Sequence, residues 1–331
     1  MSFRDAINSF KDIVDPIRTK VKRLPEHILV FGGKQGVDIP RLQSCRNVFL
    51  QKSIEQLHPL SKKFVMPEDY PEWNNYSGYD NLVEFEVEAG CLSRAIVLFL
   101  ETEGSFAELG AFCMDESLRE RLFVVLARKY YDEKNSFLYL GPVALVTNRH
   151  GEESLCVVDE IVTNRHDEKC ACAVEERRNG EIFEQSVDGI LQSLDDRLKV
   201  ESKTGTSVSF SASRKRDQFL LIADFIDLFG ALNRTELHDL MRFMGLDVSD
   251  DVLKRMLWLL NLFGMIRETN VFGKVFFISN RHENHNYLSF SAIEGEKAFD
   301  RPAFKVNTVS VALKGDRNRK RACDGSPGGK S

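Results

Sequence analysis

The chain has 331 residues, a formal net charge of −5, and 43% hydrophobic and 10% aromatic residues. That length favours two domains, the apolar share suffices for a packed core, and the charge excludes a generally basic nucleic-acid binder. No run approaches the roughly 18 uninterrupted apolar residues of a membrane span, and Met1-Ser2-Phe3-Arg4-Asp5 lacks the charged-then-apolar order of a signal peptide. Seven scattered cysteines, odd in number, fit reduced thiols, so a cytoplasmic protein is expected.

Phe3, Ile7, Phe10, Ile13, Val14, Ile17 and Val21 are spaced for an amphipathic helix over 3–23, kinked or split at Pro16. Ile28-Leu29-Val30-Phe31 then runs as a buried strand into Gly32-Gly33. A helix over Ser44–Leu57, a short strand at Phe64-Val65-Met66, a helix over Leu82–Leu92 and a strand over Ala95–Leu100 follow. Leu109–Glu120 reads as helix, Leu122–Leu126 as the fourth strand and Val143–Val146 as the fifth. Strands alternating with helices imply a parallel sheet covered on both faces. This domain is expected over 28–150, after an N-terminal helical segment at 1–27.

Residues 151–215 read as an extension and linker, with a strand at Cys170–Val174, a helix at Phe183–Leu198 and a polar stretch from Ser202 to Ser213. Thr147-Asn148-Arg149-His150 recurs as Thr163-Asn164-Arg165-His166, with no mechanism attached. Cys170, Cys172 and His166 lack a fourth ligand, so no metal is expected. From Arg216 the pattern changes to helices at Phe219–Phe229, Thr235–Met244 and Asp250–Phe263, then a hairpin turning at Asn270–Lys274. That order matches a winged helix-turn-helix over 216–300. The third helix exposes only Lys254 and Arg255 beside Asp250 and Asp251, which argues against strong independent duplex binding and equally allows a protein-contacting module. The tail, 301–331, is basic and rich in Gly, Ser and Pro toward its end. With Lys314, Arg317, Arg319, Lys320, Arg321 and Lys330 against two aspartates, it is expected to be disordered and to touch a phosphate backbone.

Four segments converge on the carboxyl edge of the expected sheet, where ligands of open α/β sheets bind. They are Gly32-Gly33, Glu68-Asp69, Glu101–Glu108 and the residues after strand four. Gly104-Ser105-Phe106-Ala107-Glu108 opens a helix. Glu108 in its first turn is stabilised as an anion, poised as nucleophile or electrostatic partner and not as an acid. Glu68 and Asp69 suit sugar hydroxyls or cap a turn, Glu84 or Glu86 points to the cleft or to solvent, and Phe106 with Tyr76 or Tyr79 suits a base. Carboxylates flanking C1′ suit an oxocarbenium-like transition state.

Ile28–Gly33, Met66-Pro67-Glu68-Asp69, Ile96–Leu100, Gly104–Phe112 and Ser136-Phe137-Leu138-Tyr139-Leu140-Gly141-Pro142 together resemble the nucleoside deoxyribosyltransferase-like effectors of retron antiphage systems. The resemblance covers 28–146 and matches their two-domain plan through the pattern at 216–280. It implies a flavodoxin- or Rossmann-like sheet followed by a winged helix. It implies Glu108 as the nucleophile and Glu86 as the carboxylate that orients sugar or base. Gly32, Gly33, Glu68, Asp69, Tyr79, Gly104, Ser105 and Phe106 would then line the substrate pocket. Thr102 stands where true deoxyribosyltransferases carry an aspartate, which favours hydrolysis over base exchange. The implied activity is N-glycosidic cleavage of NAD or nucleotides, bound as substrate with no cofactor, held silent by a reverse transcriptase and its msDNA in an oligomeric assembly. A metabolic nucleoside 2-deoxyribosyltransferase and a non-enzymatic, nucleotide-sensing DNA-binding regulator are the alternatives.

Overall fold

Two units make up the chain, one of residues 25–205 and one that joins residues 1–24 to 206–331. A computed structural model describes residues 1–34, 44–72, 78–159, 172–203, 208–280, 286–295 and 298–324. Among them, no helix is long and apolar enough to cross a membrane. Tyr76, Cys170, the Thr163–His166 repeat and residues 325–331 lie outside the described residues.

Helix α1 (Phe3–Ile13) starts at a Ser2/Asp5 capping box and buries Phe3, Ala6, Ile7 and Phe10. The helix expected over 3–23 stops there, because Val14–Val21 form strand β1, which pairs with a strand near the C-terminus. Pro16 falls where the pairing register shifts between Asp15 and Lys20. A proline, lacking an N–H, fits such an irregularity better than a regular ladder position.

Unit 25–205 contains β2 (Ile28–Phe31), α2 (Cys45–Glu55), β3 (Phe64–Val65), α3 (Leu82–Cys91), β4 (Ala95–Phe99) and α4 (Glu103–Phe112). It continues through α5 (Glu116–Arg119), β5 (Leu122–Ala127), α6 (Arg128–Asp132), α7 (Ala144–His150), β6 (Leu155–Val158) and α8 (Cys172–Lys203). Among the described residues, five strands pair in parallel in the order β3-β2-β4-β5-β6. Counted within the sheet this is 2-1-3-4-5, the doubly wound order whose topological switch lies between the first and third strands, here β2 and β4. Both strands are buried along their whole length, as helices on both faces require.

The expected fifth strand at Val143–Val146 is helical instead. Val143 ends a π-helical turn, Ala144 opens α7, and the fifth strand is β6. A four-residue apolar run fits either period, and here the helix prevails. Cys172, placed in an expected strand, opens α8. That helix inserts Phe183, Val187, Ile190, Leu191, Leu194 and Leu198 into the core shared with Val48 and Phe49 of α2. The α/β unit therefore runs past the expected boundary near 150 and takes in residues 151–205.

The other unit adds β7 (Val208–Ser209), α9 (Lys215–Phe229), β8 (Ala231–Leu232), α10 (Arg234–Phe243), α11 (Asp250–Leu262), β9 (Ile266–Val271) and β10 (Lys274–Ser279). It closes with β11 (Leu288–Ala292), α12 (Arg301–Phe304), α13 (Ser310–Gly315) and α14 (Arg317–Asp324). Antiparallel sheets β11-β1-β7 and β8-β10-β9 lie in this unit. Its core is aromatic: Phe10 meets Phe225, Phe229, Phe290 and Phe304 edge-on. The tail expected to be disordered is helical over most of 301–324. Arg319 is buried, donating to the Ala231 carbonyl at 2.7 Å and pairing with Glu236, while Ala322 packs on Val271, Phe276 and Ile278. Composition alone did not reveal those anchors.

Asp224 of α9 is fully buried and accepts from the Tyr287 and Leu288 amides and from Arg301, at 2.8, 3.3 and 2.5 Å. Removing one partner of such a pair leaves an uncompensated buried charge. Arg301→Ala should therefore cost about 3–5 kcal/mol, read as a lowered denaturation midpoint. An unchanged midpoint would refute the pairing.

Candidate active site

Glu101 lies two residues beyond the end of β4 and Gly33 two beyond β2, so the two turns face each other at the switch point of the sheet. The buried Glu101 carboxylate accepts from the amides of Gly33, Cys45 and Arg46, at 2.6, 2.5 and 3.1 Å. Cys45 and Arg46 open α2, so the carboxylate also sits at a helix N-terminus. Burial pushes its pKa up while these amides pull it down, with burial the larger effect. The glycines are explained by this contact. A Cβ on Gly32 would come within 2.8 Å of Glu101 Oε1, and one on Gly33 within 2.7 Å of the Ser44 Cβ. Gly32 and Gly33 were expected to line the substrate pocket; what they visibly accommodate is a carboxylate of the chain itself.

Arg46 carries the network outward. Its Nε donates to the Gly33 carbonyl at 2.7 Å, one terminal nitrogen reaches the Val30 carbonyl, and both terminal nitrogens grip Glu68 at 2.7 and 3.1 Å. Glu68 is 54% exposed while Arg46 is buried, so the fork holds Glu68 at the rim. Sequence reasoning missed Arg46, because a buried cation at a helix N-terminus runs against the dipole preference. Asp69, expected beside Glu68, closes its own turn by accepting from the Met66 amide at 3.1 Å.

Glu86 on α3 and Glu108 on α4 meet in this electrostatic neighbourhood. Burial raises the Glu86 carboxyl to about 8, with repulsion from Glu108 and Glu68 adding to it and Arg46 opposing. Burial raises Glu108 to about 7, again opposed by Arg46 and aided by Glu68. Glu108 was expected in the first turn of its helix and anionic. Thr102 is the N-cap, so Glu108 sits in the second turn, beyond the strongest influence of the exposed amides, and burial dominates. Its Oε2 is buried without a hydrogen-bond partner among the described residues. A buried acceptor left open is uncommon and fits a hydroxyl supplied from outside.

The remaining expected residues divide. Ser105 is a capping residue: its hydroxyl accepts from the Glu101 and Thr102 amides at 3.1 and 3.0 Å and donates to the Thr102 carbonyl. Gly104 is exposed, and a Cβ there would meet only Thr102 Oγ1 at 3.8 Å, so sterics within the chain do not demand glycine. Phe106 is half-buried and packs edge-on against Tyr130 of α6, 5.3 Å between centroids. Tyr79 was expected to face a base. It is buried, donates to Glu88 Oε2 at 3.0 Å and packs edge-on against Phe85, so its ring and hydroxyl are committed inside the unit.

Comparison with known proteins gives a consistent picture. A family model described as STM3845 retron effector protein matches residues 42–268. A protein of retron Ec73 from Escherichia coli, named provisionally as a ribosyltransferase/DNA-binding protein, is 28% identical over 164 residues, covering 49% of each chain. The equivalent protein of retron Ec86, with the same provisional name and organism, is 40% identical over 67 residues, 20% of this chain and 22% of its own. The chain thus aligns with about half of the first relative and less of the second.

The two raised carboxyls contribute to the pH dependence of stability. A group with a raised folded pKa contributes fully below its unfolded value, near 4.5, and that contribution is lost as pH rises through about 7 for Glu108 and about 8 for Glu86. The ligand-free protein should therefore melt at lower temperature at pH 9 than at pH 6. Glu86→Gln should flatten that decline in a thermal-shift series, and identical slopes for both proteins would exclude the protonated pair.

Proposed function

This chain belongs to the STM3845 retron effector family, and from that membership we propose that residues 25–205 are an N-glycosidase effector acting on NAD or a nucleotide. One observation carries the reading: the buried Oε2 of Glu108 has no hydrogen-bond partner among the described residues, in a carboxyl that burial raises to about 7 and that Arg46 and Glu68 influence, as they do Glu86, raised to about 8. Two carboxylates with separated pKa values divide into an anion and an acid. Glu108 ionises first and faces the anomeric carbon, either stabilising the oxocarbenium-like centre or bonding to C1′ as the C1′–N bond breaks. Glu86 keeps its proton longer and donates it to the departing base nitrogen. Water then completes the reaction at C1′, giving up its proton to the Glu86 carboxylate. A nicotinamide leaves neutral without that proton, so with NAD Glu86 stays protonated, the water proton is released to solvent, and Glu86 matters most for nucleotides carrying ordinary bases.

The relatives' names join two activities, and this chain offers two units for them. The element order α9-β8-α10-α11-β9-β10 supports a winged-helix reading of the second unit. Family membership supports control by a retron reverse transcriptase and its msDNA, with the effector silent until that complex is disturbed. Thr102, as an N-cap hydroxyl accepting from the Ser105 amide, supports hydrolysis over base exchange, since no third carboxylate stands there.

Glu108→Gln should lower cleavage by at least about 1,000-fold, and Glu86→Gln by about 100-fold or more on nucleotide substrates. Mass spectrometry of NAD and nucleotide pools after induction of each variant reads both. Undiminished depletion by Glu108→Gln would overturn the assignment.

A further inference from the structure

Pairing of Val271 with Lys274 leaves a two-residue turn, Phe272-Gly273, at the tip of the β9–β10 hairpin. Both residues have positive φ, 51° and 78°, the backbone of the mirror-image turn that favours Asn-Gly. A phenylalanine is a poor choice for it. Its bulk is disfavoured in the left-handed region, and its ring is 74% exposed, touched by the Arg321 guanidinium 4.9 Å from the centroid. Local strain combined with an exposed aromatic points to a contact made outside the chain.

The surface beside that ring is basic. Helix α14 turns Arg319 and Ala322 inward and leaves Arg317, Lys320 and Arg321 exposed, and Lys274 is exposed at the start of β10. Among the described residues, no carboxylate is ion-paired with Lys274, Arg317 or Lys320, although Glu268 and Asp324 are exposed nearby in sequence. Helix α11 offers the opposite: Asp250 pairs with Arg234 and Lys254, and Asp251 with Lys254. Among the described residues, cations without an ion pair thus border Phe272 at the hairpin tip and on α14, whereas Lys254 near the start of α11 is paired.

We infer that the hairpin tip and α14 bind single-stranded nucleic acid, an unpaired base stacking on Phe272 and flanking phosphates meeting Arg317, Lys320 and Arg321. An aromatic platform bordered by cations recognises bases by their faces, which a duplex hides. The site is independent of the glycosidase reading, because it lies wholly in the other unit. DNA and RNA strands share this chemistry, and the test separates them.

The full-length protein is titrated against labelled single-stranded DNA, single-stranded RNA and duplex DNA of about 12 nucleotides, followed by fluorescence anisotropy at increasing salt. At least one single strand should bind more tightly than the duplex, and the tighter of the two identifies the natural ligand. Phe272→Asn, which suits the turn, should melt no lower than wild type yet bind that strand about tenfold more weakly. Arg317→Ala with Lys320→Ala should weaken binding and reduce the salt slope by about one for each phosphate no longer neutralised. Failure of both strands to bind, tighter binding of the duplex, or wild-type affinity in Phe272→Asn would each overturn the proposal.

Discussion

The carboxylate of Glu101 is the constraint on which the α/β unit depends. By accepting three backbone amides it fixes the turn after β2, the first residues of α2 and the end of β4 as one rigid corner. Such a group is stable only because every part of it is used, since a buried charge without partners is costly. Arg46 repeats the logic one layer out, tying the Gly33 and Val30 carbonyls to Glu68. Gly32 and Gly33 follow from it, because side chains there would collide with the corner. Chemistry at the rim can then rely on a frame that does not need to reorganise.

That frame also explains why Glu86 and Glu108 behave as weak acids. Each is largely removed from water, each senses Glu68, and the cation that acts on both, Arg46, is already engaged by Glu68 and by carbonyls. Arg46, as the cation named among the described residues, therefore moderates the pair without neutralising it. A carboxyl poised near neutrality can both give and take a proton at working pH, which a fully paired one cannot. The open Oε2 of Glu108 fits the same account, an acceptor left without an internal donor.

Much of this was legible in the chain, for physical reasons. Buried parallel strands are continuous apolar runs, so Ile28–Phe31, Ala95–Phe99 and Leu122–Ala127 stood out. Glu108 stood out from its place just after the turn that follows the third strand, whereas the role of Glu86 came from the family resemblance. What failed were features set by distant partners. The Val143–Val146 run has no period of its own, β1 forms only because β7 and β11 flank it, and Tyr79 is claimed by Glu88. Arg46 was invisible because its partners, Gly33, Val30 and Glu68, lie up to 22 residues away. The titration of Glu108 was misjudged through one turn of helix register, where local burial outweighs the dipole.

Net charge misleads in the second unit for a related reason. A count of −5 over the chain says nothing about which charges cancel locally. On α11 they do cancel, and the helix that sequence order nominates for base contact is largely neutralised by its own acidic first turn and its neighbours. On α14 one arginine is consumed in anchoring, and that anchoring lays the remaining cations in order along the outer face. Burying Arg319 thus does two things at once: it converts a polar tail into a helix, and it gives the exposed charges a fixed geometry beside Phe272. A disordered basic tail attracts phosphates without preference of register, whereas an ordered one holds its cations at set distances from an aromatic ring.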